Sequence, residues 1–224
     1  MYSSLLADFP IGKSVVLNNG SVLFINLIFP ATKLYMKRCV SFEKTETKLK
    51  AEIINQPYSG EFKERIYDVE SPWNSQSWTW IKFTDENMSE TVGQFRGFPK
   101  EVKYSERRNE IIVLTSDYVF RLNASDLNII ETVSQPQYQD VEVSPDGIFF
   151  FHNYYEIEKM DNSLSDLTEI QSPFKMDDIR FKKWNGKILE FECEEFINWS
   201  RNEIMELDTN EWKINIKTNT QHGV

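Results

Sequence analysis

Cysteine, histidine, glycine and proline are all scarce in this chain, and it holds no long apolar run. Two cysteines in 224 residues, Cys39 and Cys193, do not make a disulfide framework. They read as two buried thiols in a reducing compartment. Only His152 and His222 could act as near-neutral acid–base groups. His222 sits in a Gln221-His222-Gly223-Val224 tail, and His152 reads as a structural or exposed histidine. No Ser-His-acid, Cys-His, P-loop, HExxH or CxxC arrangement is legible, so no catalytic residue, metal ligand or cofactor is expected. The longest apolar stretch, residues 22–29, is interrupted by Asn26. A membrane helix needs about twenty apolar residues. The N-terminus lacks the basic region and long apolar core of a secretory signal, and the expectation is a soluble, cytoplasmic protein. Net charge is −10, with 35 acids against 25 bases. That balance argues against nucleic acid and anionic membranes as partners and favours a basic protein.

What the chain does have is aromatic residues, 14% of the total, and hydrophobicity of period two almost throughout. Both suit pleated, half-buried surfaces. Asn19-Gly20, Asp146-Gly147 and Asn185-Gly186 punctuate the apolar runs as hairpin turns. Residues 45–53 alternate as a strand, with a helix as the alternative. The C-terminal half repeats itself: four short strands over 102–134, again over 141–171, and again over 179–217. Their first strands begin at Val102, Val141 and Ile179, spacings of 39 and 38. Two less regular units, 14–54 and 64–98, precede them. The predicted fold is therefore all-β, one domain over 1–224, of about five blade-like, four-stranded antiparallel units. A different stacked-sheet arrangement, such as a sandwich, is the alternative. The pattern resembles a β-propeller, and Ser144-Pro145-Asp146-Gly147 is similar to a turn found between the first two strands of many propeller blades. Such a resemblance implies an architecture, because propellers host unrelated activities.

A strand packed on both faces is apolar throughout, whereas one packed on a single face alternates. Ile111-Ile112-Val113-Leu114 and Ile148-Phe149-Phe150-Phe151 are of the first kind, as is Val22-Leu23-Phe24-Ile25. In the last unit Leu189, Phe191 and Cys193 alternate with Glu190, Glu192 and Glu194, and Ile204, Glu206 and Asp208 alternate with Met205 and Leu207. Burying those carboxylates against another sheet would be costly, so this unit is expected to end an incompletely closed stack. Its acidic face, Glu190, Glu192, Glu194, Glu206 and Asp208, is one candidate partner-binding surface. The other is the aromatic cluster of Trp73, Trp78 and Trp80 with Arg96 nearby. Trp78 and Trp80 share a strand face that could form a protein-binding or sugar-stacking platform. In overall character the chain resembles small, acidic, cytoplasmic immunity proteins that neutralise antibacterial toxins by direct contact. That resemblance implies a non-enzymatic binding protein with a basic partner. A carbohydrate-binding or glycosidase-like protein and a scaffold subunit of a larger assembly are the alternatives.

Overall fold

The computed structural model describes residues 13–16, 22–25, 49–69 and 75–217. They divide between two compact units, residues 1–44 and 45–224. In the first unit, β1 (Lys13–Val16) and β2 (Val22–Ile25) form an antiparallel hairpin in which Val15 opposes Leu23. The Asn19-Gly20 dipeptide read as a turn lies outside the described residues.

The second unit is wholly β among its described residues: sixteen strands in four sheets of four. Sheet I contains β3 (Lys50–Ile54), β4 (Lys63–Tyr67), β5 (Trp78–Thr84) and β6 (Glu90–Arg96). Sheet II is β7 (Pro99–Ser105), β8 (Glu110–Thr115), β9 (Tyr118–Asn123) and β10 (Ile129–Ser134). Sheet III is β11 (Asp140–Val143), β12 (Phe149–His152), β13 (Ile157–Met160) and β14 (Leu167–Glu169). Sheet IV is β15 (Met176–Asn185), β16 (Ile188–Glu195), β17 (Asn198–Asp208) and β18 (Lys213–Ile216). No described helix is long and apolar enough to cross a membrane.

Sheets II to IV are antiparallel meanders whose spatial order follows the sequence, which matches the three repeats read from the chain. Sheet I is different. Its order is β3-β5-β6-β4, and its outer strand β4 runs parallel to β6. The sequence reading of about five units is corrected to four sheets for this reason. Lys50–Ile54, expected to end one unit, pairs with β5, and so joins the strands expected to form the next.

Each seam between consecutive sheets is a hydrophobic core, built by the alternation of side chains along the central strands. Ile111 and Val113 of β8 face sheet I, where they meet Ile81, Phe83 and Phe95. Ile112 and Leu114 face sheet III and meet Phe149 and Phe151. Phe150, between those two, faces sheet IV and packs with Leu189, Phe191 and Met205. A fully buried phenylalanine contributes about 1.5–3 kcal/mol relative to an exposed one, and β12 alone buries three.

The Ser144-Pro145-Asp146-Gly147 turn connects β11 to β12 and ties the sheets together. Gly147 has φ +80° and donates its N–H to Ser144 O at 2.8 Å. Ser105 of sheet II donates to Gly147 O at 2.6 Å. Lys187 of sheet IV donates to Asp146 Oδ2 at 2.7 Å. A Cβ at Gly147 would lie 2.7 Å from Arg107 Cβ and 2.8 Å from Ser105 Oγ, so both the conformation and the space require glycine.

Candidate functional site

The acidic strand face predicted in the last unit is formed as expected by alternation. On β16, Leu189, Phe191 and Cys193 are buried in the seam while Glu190, Glu192 and Glu194 lie on the opposite face. Glu206 of β17 stands directly across from Glu190. Neighbouring strands supply the counter-charges. Lys217, just after β18, hydrogen-bonds Glu190 and lies 3.6 Å from Glu206. Lys183 of β15 is 3.5 Å from Glu190, and Lys182 is 2.8 Å from Glu192. The hydrogen bond from Lys217 holds the Glu190 carboxyl below its ordinary range. Asp208 accepts the backbone N–H of Asn210 at 2.8 Å and its side-chain amide at 3.0 Å, closing the turn into β18. Alternation along one strand reveals the carboxylates, but the lysines between them belong to other strands.

Trp78 and Trp80 are alternate, half-buried residues on the outer face of β5. Arg96, opposite Trp78 on β6, lays its guanidinium 3.8 Å from the Trp78 ring centre. Asp68 holds that guanidinium through two hydrogen bonds, at 3.1 and 2.7 Å. The sequence reading placed Arg96 near these aromatics, and the geometry brings them into direct contact. One face of Trp78 is thereby occupied. Val92 lies on the same side of the sheet and is fully buried. Phe83 and Phe95 belong to the core of the first seam, and Trp73 lies outside the described residues.

Two features gather at the end of the second unit where β7, β11 and β15 begin and β12 and β16 finish. The first is a cleft of about 350 Å³ lined by Lys100, Glu101, Gln139, Asp140, His152, Ile179, Arg180 and Phe181. Asp140 and His152 are brought together by the β11–β12 register, in which they are direct partners. Glu101 accepts a hydrogen bond from Val102 N at 2.9 Å, and Asp140 accepts one from Val141 N at 2.7 Å. Neither carboxylate has an ion-pair partner among the described residues. The nearby cation, Lys103, pairs instead with Glu142 at 3.1 Å. Burial pushes the carboxyls of both Glu101 and Asp140 above their ordinary range, with the neighbouring carboxylates adding to the shift. Burial acts on Lys103 in the opposite sense, but Glu142 and Glu101 outweigh it and hold that ammonium more basic than usual. Lys100 donates to the Tyr138 carbonyl, and burial makes it less basic.

His152 is only 4% exposed, and burial makes its imidazole less basic than usual. Its Nδ1 lies 2.8 Å from Asn153 O, which fixes the proton on that nitrogen because a carbonyl can only accept. Nε2 then carries a lone pair, and no described residue donates to it. The ring packs edge-on against Phe181, with centroids 4.5 Å apart.

The second feature is an apolar patch on the adjoining turns. Phe196 and Ile197 form the tip between β16 and β17, where Glu195 pairs with Asn198. Ile197 has φ +66° and is 80% exposed. A β-branched side chain at positive φ is a strained arrangement. Tyr154 and Tyr155 of the β12–β13 turn are about half exposed, and Tyr155 meets Phe196 edge-on at 5.7 Å. Beside them a groove of about 360 Å³ runs along residues 169–176, and within it the Ser172 hydroxyl is buried with no hydrogen-bond partner. Lys175 lies 4.0 Å from the Phe196 ring centre, and Arg201 lies 4.8 Å from that of Phe174. The sequence carried a signal for this patch: Tyr154-Tyr155 and Phe196-Ile197 put large apolar residues where turns normally hold polar ones.

No group of three or more His, Cys, Asp and Glu side chains among the described residues is arranged to hold a metal ion. No known protein family matches the chain, and no curated protein is significantly similar to it.

Proposed function

We propose that this protein is a non-catalytic, propeller-like recognition domain that binds a protein partner with the end carrying the β12–β13 and β16–β17 turns. The observation that carries the reading is Ile197, exposed on strained backbone beside Tyr154, Tyr155 and Phe196. Strain of this kind clusters at functional sites, and clustered, exposed apolar and aromatic side chains are the usual anchors of protein interfaces. A toxin-neutralising role rests on the resemblance in overall character and calls for a basic partner. The carboxylates Glu101 and Asp140, which have no ion-pair partner among the described residues, suit such a partner better than the lysine-paired face of β16. The buried thiol of Cys193, made less acidic by its surroundings to about 12, suits a reducing compartment such as the cytoplasm. A sugar-stacking role for Trp78 is less well supported, because Arg96 already occupies one face of its ring.

The test is an Ile197→Asn substitution, which removes the apolar anchor and places at positive φ a residue that tolerates it. Proteins retained from cell extract by the wild-type chain are identified, purified and titrated against both forms. The reading requires at least a tenfold loss of affinity with no fall in melting temperature. Equal affinity of both forms would overturn it.

A further inference from the structure

We infer that the cleft between the starts of β7 and β11 is a receptor for one cationic side chain, a lysine ammonium or an arginine guanidinium, presented by a protein partner. This rests on the protein-recognition reading and names what the centre of that surface accepts.

Two carboxylates line the cleft, and among the described residues neither forms an ion pair. Three carboxylates, Glu101, Asp140 and Glu142, act on one another and share a single close ammonium, Lys103, which is paired to Glu142. Glu101 and Asp140 are each left with one backbone N–H, whereas a carboxylate has about four lone-pair sites to fill. His152 of β12, 4% exposed, also lines the cleft, and its Nε2, which receives no hydrogen bond from a described residue, adds a third acceptor. The other cations at the cleft are engaged: Lys100 donates to Tyr138 O, and Arg180 on the rim lies 3.6 Å from Asp178.

Shape agrees with charge. A cleft of about 350 Å³ is of the size that holds small groups, which suits a single long side chain. Ile179 and Phe181 provide an apolar wall for its methylene stem, in the way that long basic side chains bury their stems while their charged heads find polar partners. A buried carboxylate gains most from a donor that brings both charge and hydrogen bonds, since charge-assisted bonds are the strong ones. Burial has already raised the carboxyls of Glu101 and Asp140, so the arriving cation also relieves an existing cost.

The experiment uses the full chain and the tripeptide acetyl-Gly-Arg-Gly-amide, with acetyl-Gly-citrulline-Gly-amide as its uncharged isostere. Binding is followed by amide chemical shifts. The arginine peptide should move the resonances of residues 139–141, 152 and 179–181 saturably, and the citrulline peptide should bind at least tenfold more weakly. Glu101→Gln with Asp140→Asn should abolish the saturable shifts while the rest of the spectrum stays that of the folded chain. Equal binding of the two peptides, no shift at these positions, or undiminished binding by the double variant would each overturn the inference. Because no partner protein enters the assay, a negative result leaves the Ile197 test standing. A failed Ile197 test likewise leaves the peptide result standing.

Discussion

The same face of β12 carries Phe150 and, two residues later, His152, and the two sit in opposite kinds of surroundings. Phe150 packs edge-on against Phe181, Trp184 and Trp212, with ring centres 5.5, 6.1 and 5.8 Å away. His152 meets the same Phe181 but lies in a cleft with two carboxylates that have no ion-pair partner among the described residues. At the centre of the seam every group is satisfied by packing. At its end, the carboxylates of Glu101 and Asp140 are partly buried, each with one backbone N–H and no ion pair among the described residues. On the proposed reading stability and function are separated along one strand, a division natural proteins make where a binding site keeps groups that the fold alone would not choose.

Substitutions can break or sharpen this contrast. The largest effect is expected from Phe150→Ala, which leaves a cavity among three aromatic rings and should destabilise the domain by about 3–5 kcal/mol in denaturant titration. A loss below about 1 kcal/mol would mean that the seam between sheets III and IV is not the rigid core described. Next is Gly147→Ala, which forces a side chain into positive φ against Arg107 and Ser105. Unfavourable backbone of this kind costs about 1–3 kcal/mol, and the loss should appear in the same titration. An unchanged midpoint would show that the turn does not bind the three sheets together. At the end proposed to bind a partner the sign reverses. Ile197→Asn should raise stability by about 1 kcal/mol through relief of positive-φ strain, whereas a marked drop in thermal melting would assign Ile197 to the core.

How legible these parts were in the sequence follows from how local they are. Sheets II to IV could be read because hairpin strands alternate visibly and their turns are marked by Asp146-Gly147 and Asn185-Gly186. The inward and outward faces of Ile111 to Leu114 and of Phe149 to Phe151 also followed from unbroken apolar runs. Sheet I was not legible, because its outer strand Lys63–Tyr67 pairs in parallel with Glu90–Arg96, skipping Trp78–Thr84, the strand that comes between them in sequence. The acidic face of β16 was half legible: Glu190 and Glu192 were visible, but Lys182, Lys183 and Lys217 join them only through cross-strand pairing. The cleft was the least legible part. Glu101, Asp140, His152 and Arg180 come from four strands and three sheets, and their only common property is where the meanders begin and end.

The most direct test of the account is the thermal melting of the Glu101→Gln, Asp140→Asn double variant at two pH values. Both carboxyls titrate above their ordinary range in the folded chain, chiefly because they are buried. A group of this kind favours folding when protonated, and that contribution is lost as pH rises through its folded value. Amides keep the backbone hydrogen bonds and carry no charge to dehydrate. At pH 7 the double variant should therefore melt higher than the wild-type chain by roughly 2–4 °C. Near pH 4, where the native carboxyls take up protons, the difference should shrink towards zero. A variant that melts lower at pH 7 would mean that these carboxylates are compensated in the fold, and would contradict the claim that the cleft is kept, at a cost in stability, for a partner's cation.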